Sequence, residues 1–88
     1  MKPIKWSGTF TKHYKERIAK DELLQEAFLD AVDGFLYNRQ WVGDHTLKEK
    51  MAGKSSFEIS EDYRVVYIER EDDFLFLDIG THEDVYTR

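Results

Sequence analysis

The sequence predicts an α+β fold of order β-α-α-β-β-β, in which two N-terminal helices pack on a four-stranded antiparallel sheet. Apolar residues recur at helical spacing in the first half of the chain, whereas the second half carries β-branched and aromatic runs separated by acidic turns. Because 88 residues suffice for one hydrophobic core and leave no room for a second, we predict a single domain spanning residues 1–88.

The N-terminal half is predicted to form a strand and two helices. Residues 2–7 form the strand, and either Ser7 or Thr9 is suited to cap the first helix. The apolar side of that helix consists of Phe10, Tyr14 and Ile18. Its solvated basic face consists of Lys12, Lys15, Arg17 and Lys20, and His13 lies on the same face without an assigned role. Asp21 caps the second helix, whose apolar stripe runs through Leu24, Ala27, Phe28, Ala31, Val32 and Phe35.

The C-terminal half is predicted to form three antiparallel strands. They span residues 55–60, 63–69 and 74–79, and acidic turns connect them. Because the runs are apolar on both faces, we expect helices to cover one side of the sheet and other residues to cover part of the second side. Residues 38–54 form a connection between helix and sheet that is long enough to be functional.

The turn positions predict which residues face each other across the strands. The first hairpin places Glu58 opposite Arg64, and the second places Arg64 opposite Gly80, with His82 alongside Asp62. Glu58 therefore offers Arg64 a cross-strand ion pair, which is the structural alternative to a functional role for the arginine.

The other candidate residues have structural alternatives of the same kind. His45 and His82 lie in predicted loops, where a histidine is often only solvated, and Tyr86 is placed to pack against a helix end. Two histidines with nearby carboxylates could supply metal ligands, but the sequence has no HxxxH or HExxH spacing. It also has no glycine-rich phosphate loop and no GxSxG motif. We therefore predict no metal and no cofactor.

Charge and composition exclude several classes of protein. The net charge is −5, yet residues 1–20 carry six cations and one anion, so the chain has a basic start and an acidic remainder. This balance does not favour nucleic-acid binding, although one face could still be positive. The absence of cysteine excludes disulfides and thiolate metal sites. No apolar run is long enough to span a membrane and the start lacks a signal peptide, which predicts a cytoplasmic protein.

Three segments resemble a known family. The run Asp62-Tyr63-Arg64-Val65-Val66-Tyr67, followed by Leu77-Asp78-Ile79-Gly80-Thr81-His82 and Val85-Tyr86, resembles the RelE/ParE superfamily of type II toxin–antitoxin toxins. The segment Asp44-His45-Thr46-Leu47-Lys48 is most similar to the YafQ-type branch. The resemblance covers essentially the whole chain and implies a RelE-like fold. It also implies a ribosome-dependent, metal-independent endoribonuclease that cuts mRNA in the decoding site and is neutralised by a cognate antitoxin.

The resemblance also implies roles for individual residues. His82 matches the catalytic histidine near the C-terminus and is expected to act as the general acid, with either His45 or Asp62 as the general base. Arg64 is expected to stabilise the charge that develops on the phosphate, and Tyr86 to stack on a base. The residues expected to bind the substrate are Tyr86, Lys48, Lys50 and Lys54.

Two alternatives to the nuclease remain open at this point. A ParE-like toxin that inhibits DNA gyrase has the same fold but does not need two histidines, so His45 and His82 favour the nuclease. An attenuated relative that only binds its antitoxin is favoured by the acidic balance. It is also favoured by the strand Ser56-Phe57-Glu58, which lacks the two lysines found there in RelE.

Overall fold

The computed structural model describes residues 2–37, 45–46 and 53–86, and at residues 45, 46 and 86 it describes the backbone alone. The elements in these ranges are β1 (Ile4–Trp6), α1 (Gly8–Arg17), α2 (Glu22–Tyr37), β2 (His45–Thr46), β3 (Ser55–Glu58), β4 (Tyr63–Glu69), β5 (Phe74–Thr81) and α3 (His82–Tyr86). None of the helices in these ranges is both long and apolar enough to cross a bilayer.

The strands form one sheet in the order β1-β5-β4-β3-β2. The predicted α+β class is confirmed, but the sheet is mixed, because β1 pairs with β5 in parallel, with Ile4 opposite Phe74. The backbone N–H of Phe74 donates to Pro3 O at 2.9 Å, and the N–H of Ser7 donates to Phe76 O at 2.9 Å. No hairpin joins β1 to the sheet, so the turns that predicted the other pairings carry no information about its direction. The short strand β2 adds a further antiparallel edge beside β3.

The predicted hairpin registers are confirmed. Glu58 pairs with Arg64 across β3 and β4, and Arg64 pairs with Gly80 across β4 and β5. A register shift between Val66 and Tyr67 interrupts the second ladder. It leaves the register at the Arg64 end of the hairpin as predicted.

Both predicted helix caps are present. The backbone N–H of Phe10 donates to Ser7 Oγ at 3.0 Å, so Ser7 rather than Thr9 caps α1. Asp21 Oδ1 accepts from the N–H groups of Leu23 and Leu24 at 3.0 and 3.2 Å, which caps α2. These side chains satisfy donors that the first turn of a helix leaves without backbone partners.

An aromatic core joins the helices to one face of the sheet. Phe35 of α2 is 1% exposed, and its ring centroid lies 4.7 Å from that of Phe57 and 4.8 Å from that of Tyr67. Val65 and Tyr67 belong to this core. Because side chains alternate along a strand, Arg64 and Val66 point to the opposite face. We call that face, which carries Glu58, Arg64 and Val66, the site face.

An ion pair between Arg70 and Asp73 neutralises part of the acidic charge at the far end of the β4–β5 hairpin. Arg70 donates to both carboxylate oxygens of Asp73, at 2.5 and 2.7 Å. These hydrogen bonds hold the pKa of Asp73 below its ordinary value. The turn is roughly seven residues from Arg64, or about 23 Å along the strand, so at ordinary ionic strength its charge is mostly screened at the site face.

Candidate functional site

Arg64 lies on the site face between its two cross-strand partners, Glu58 of β3 and Gly80 of β5. Its Nη2 is 3.0 Å from Glu58 Oε1, and the two side chains are 19% and 47% exposed respectively. The cross-strand ion pair expected from the register is therefore present. The Nε of Arg64 is buried and has no hydrogen-bond partner among the residues that the structure describes. The guanidinium is thus paired with Glu58 through Nη2 and has a buried donor, Nε, left over. A buried donor without a hydrogen bond lowers the stability of the folded state.

His82 is held where β5 ends and α3 begins. Thr81 and Asp84 cap this helix reciprocally: the N–H of Asp84 donates to Thr81 Oγ1 at 3.1 Å, and the N–H of Thr81 donates to Asp84 Oδ2 at 3.0 Å. The backbone N–H of His82 donates to Asp62 O at 3.2 Å. This bond confirms the predicted proximity of His82 and Asp62, and the side chains of both are exposed.

Strand spacing sets how far these residues lie from Arg64. His82 is one strand across and two residues beyond the partner of Arg64, which corresponds to a Cα separation of about 8 Å at 4.8 Å between strands and 3.3 Å per residue. Asp62 lies two residues before Arg64 on the chain. Because arginine and histidine side chains are long, such a separation allows both to contact one phosphodiester. The sheet therefore brings the backbones of Asp62, Arg64 and His82 close together.

His45 lies in β2, which is an edge strand of the sheet and is separated from β5 by β3 and β4. Its backbone pairs with Ser56, which pairs with Val66, and Val66 pairs with Asp78. His45 is therefore three strands from β5, about 14 Å across the sheet, and its Cα is further from that of His82 than from that of Arg64. Of the two candidates for general base, Asp62 is the one adjacent to His82 in the backbone.

The remaining candidates are only partly described. Lys54 lines a cavity of about 350 Å³ on the site face, together with Ser7, Thr9, Val66, Leu77, Asp78 and Val85. Tyr86 follows His82 by four residues in α3, and its backbone alone is described. Lys48 and Lys50 lie outside the described residues. Within the described ranges, no group of three or more His, Cys, Asp or Glu side chains is arranged to hold a metal ion.

A largely covered polar cluster of His13, Arg17 and Asp78, next to the site, was not predicted. His13, expected on a solvated face, is 9% exposed, and its Nδ1 lies 2.5 Å from Asp78 Oδ1. Arg17, also expected to be solvated, donates from Nη1 to Ile79 O at 2.8 Å. The prediction was wrong because it considered α1 alone, whereas the last turns of α1 pack against β5. The spacing of Phe10, His13 and Arg17 at i, i+3 and i+7 is the signal that marks this face.

Comparison with known proteins identifies the family. A family model described as "Bacterial toxin of type II toxin-antitoxin system, YafQ" matches residues 2–87. A search of curated protein sequences found no significant match. The solved structures similar to this chain include YafQ from E. coli strain BL21(DE3), with a TM-score of 0.78 and 18% identity over 98% of this chain and 99% of that chain.

Two further structures show the same fold. The E. coli DinJ–YafQ complex has a TM-score of 0.72 and 21% identity, covering 98% of this chain and 99% of that chain. The YoeB dimer from Staphylococcus aureus has a TM-score of 0.74 and 18% identity, covering 92% and 97%. These identities establish the fold alone, whereas the family model covers nearly the whole sequence. The chain therefore belongs to the YafQ family of bacterial toxins of type II toxin–antitoxin systems.

Proposed function

We propose that this toxin is a ribosome-dependent, metal-independent endoribonuclease that cuts mRNA and so inhibits translation. The observation that supports this proposal is the backbone proximity of Asp62, Arg64 and His82, where β4 begins and β5 ends. A proton acceptor, a cation and an imidazole are the groups that RNA cleavage requires when no metal takes part. The family resemblance implies the same reaction.

In the proposed reaction the ribose 2′-oxygen attacks the adjacent phosphorus and the bond to the 5′-oxygen breaks. Asp62 takes the 2′-hydroxyl proton, since it is the candidate base adjacent to His82. His82 gives a proton to the departing 5′-oxygen, because imidazole titrates near neutral pH. The products are a 2′,3′-cyclic phosphate and a 5′-hydroxyl. Tyr86, one helical turn after His82, stacks on a splayed base.

Arg64 stabilises the negative charge that develops on the phosphate. Its buried Nε has no hydrogen-bond partner within the described part of the chain, and its Nη2 is paired with a half-exposed carboxylate, Glu58. A substrate phosphate competes with Glu58 for the guanidinium and offers the bidentate geometry that arginine prefers. Lys54, which lines the adjacent cavity, supplies further positive charge to the RNA backbone, and we assign the same role to Lys48 and Lys50.

A cognate antitoxin is the second partner we propose. The solved E. coli YafQ is found in a complex with DinJ. By analogy, an antitoxin segment covers the partly exposed surface around Arg64 and His82, through a strand or a helix. The toxin and its antitoxin act in the cytoplasm, where the ribosome is.

Primer extension on a defined mRNA tests the proposed activity. We expect the purified toxin to produce discrete cuts when the mRNA is translated by purified ribosomes, and no cuts in the same mRNA without ribosomes. The control is toxin preincubated with its antitoxin, which should leave the message intact. Intact mRNA together with gyrase-dependent DNA breaks would contradict the proposal and support the ParE-like alternative.

A further inference from the structure

We propose that Arg17, on α1, is a positioning residue for the nuclease site, because it holds α3 against the end of β5 and α3 begins at His82. This inference rests on the proposed function and extends it to a residue that does not touch the substrate. Its support is a set of contacts that join α1 to β5 and α3, two consecutive elements far from α1 in the sequence.

The guanidinium of Arg17 is mostly buried between β5 and α3. Its side chain is 20% exposed. Nη1 donates to Ile79 O at 2.8 Å and lies 3.5 Å from Asp78 Oδ1, and Nε lies 3.8 Å from Asp84 Oδ2. One guanidinium therefore contacts the backbone and a side chain of β5 and also a carboxylate of α3.

The space that Arg17 occupies exists because residue 80 is a glycine. A Cβ at Gly80 would lie 2.7 Å from Arg17 Nη1 and 2.8 Å from both Asp84 Cβ and Asp84 Oδ2. Real Cβ atoms do not make such contacts, so any side chain there would displace Arg17 or α3. Since Gly80 is directly opposite Arg64, the guanidinium of Arg17 packs beside the cross-strand partner of Arg64, the proposed phosphate-binding group.

The short helix α3 depends on such contacts for its position. An isolated helix of its length is unstable in water, so tertiary contacts determine where it lies. Besides the reciprocal cap, the contacts of α3 with the rest of the molecule include the burial of Val85 and the Arg17–Asp84 pair. Loss of Arg17 removes an ion pair between α1 and the first turn of α3.

Arginine suits this place better than lysine because its planar fork reaches several acceptors at once. His13 supports the arrangement from one turn earlier, since its ring is hydrogen-bonded to the Asp78 carboxylate that Arg17 also approaches. Displacement of α3 moves His82 relative to Arg64. A displacement of about 1 Å at a catalytic group can cost up to roughly 100-fold in rate.

The test compares Arg17→Ala and Arg17→Lys with a matched control, Arg70→Ala. Arg70 also pairs with an aspartate, Asp73, but at the far end of the β4–β5 hairpin. The measurement is the steady-state rate of ribosome-dependent cleavage at one defined site of an mRNA. We expect Arg17→Ala to lower kcat by about 10- to 100-fold with KM unchanged. Arg17→Lys should recover part of the loss, and Arg70→Ala should leave kcat unchanged.

A second readout does not depend on nuclease activity. The chain has three histidines, so their imidazole C–H signals can be assigned by NMR with single substitutions. We expect the His82 signals to shift in Arg17→Ala and to stay in place in Arg70→Ala. Unmoved His82 signals, or equal losses of kcat in Arg17→Ala and Arg70→Ala, would overturn the proposal. A wild-type toxin that cuts no mRNA would refute the proposed function, while shifted His82 signals would still support the positioning of α3 by Arg17.

Discussion

Replacing His82 with alanine is expected to abolish growth inhibition while leaving the fold intact. The side chain is exposed, and the hydrogen bond to Asp62 O comes from the backbone N–H, which alanine retains. Loss of a general acid lowers the rate of cleavage by about 10²–10⁴-fold. The measurement is growth after induction in cells without antitoxin, with expression verified by immunoblot.

Glu83→Ala is the matched control for His82→Ala. Glu83 is the next residue in α3 and is also exposed. This variant should remain toxic, and both variants should unfold at nearly the temperature of the wild type. Full toxicity of His82→Ala at equal expression would remove His82 from the mechanism.

Replacing Phe35 with alanine is expected to have the largest effect on stability. The ring is in contact with Phe57, Tyr67 and Phe74, at centroid distances of 4.7, 4.8 and 5.0 Å. Truncation of a buried phenylalanine costs about 3–5 kcal/mol in the free energy of unfolding. A domain of 88 residues has roughly 4–13 kcal/mol in total, so the variant should lose most of its stability. Urea unfolding followed by circular dichroism measures the loss.

Leu29→Ala on the same helix is the control for the core. Leu29 is 64% exposed, so the change should cost less than about 0.5 kcal/mol. Similar losses in Phe35→Ala and Leu29→Ala would show that the face of α2 assigned to the core is wrong.

Much of the fold could be predicted because local signals determine it. The acidic turns set the two hairpin registers, and the pairs Glu58–Arg64 and Arg64–Gly80 follow from counting residues on either side of each turn. The caps at Ser7 and Asp21 follow from side chains that accept hydrogen bonds from the first turn of a helix. These features depend on residues close together in the sequence.

The features that were missed depend on residues far apart in the sequence. The parallel pairing of β1 with β5 joins positions about 70 residues apart, and no turn records its direction. His13 and Arg17 look solvated on a helical wheel, but His13 is buried and Arg17 is mostly covered where the end of α1 meets Asp78 and Asp84. The covered position of Arg17 could not be predicted without knowing which groups it contacts, and those groups lie on β5 and α3.

The strand registers around Arg64 were predicted and are confirmed, whereas the proximity of His45 to them is not seen and the role of Arg64 stays a prediction. The registers place Arg64 near His82 and opposite Glu58, and the structure shows both relations. The same ion pair is compatible with a structural cross-strand contact and with a phosphate-binding group in its resting state. The two interpretations are distinguished by replacing Arg64 and Glu58 one at a time and measuring the cleavage activity of each variant.

The rate of ribosome-dependent mRNA cleavage by Arg64→Gln and Glu58→Gln tests the central claim most directly. We expect Arg64→Gln to slow cleavage by about 10²–10³-fold, because it removes a charge that stabilises the transition state. Glu58→Gln should cleave at least as fast as the wild type, because it releases the guanidinium for the phosphate. Equal and small decreases in both variants, in step with their losses of stability, would contradict the claim and leave Arg64 as a structural ion pair.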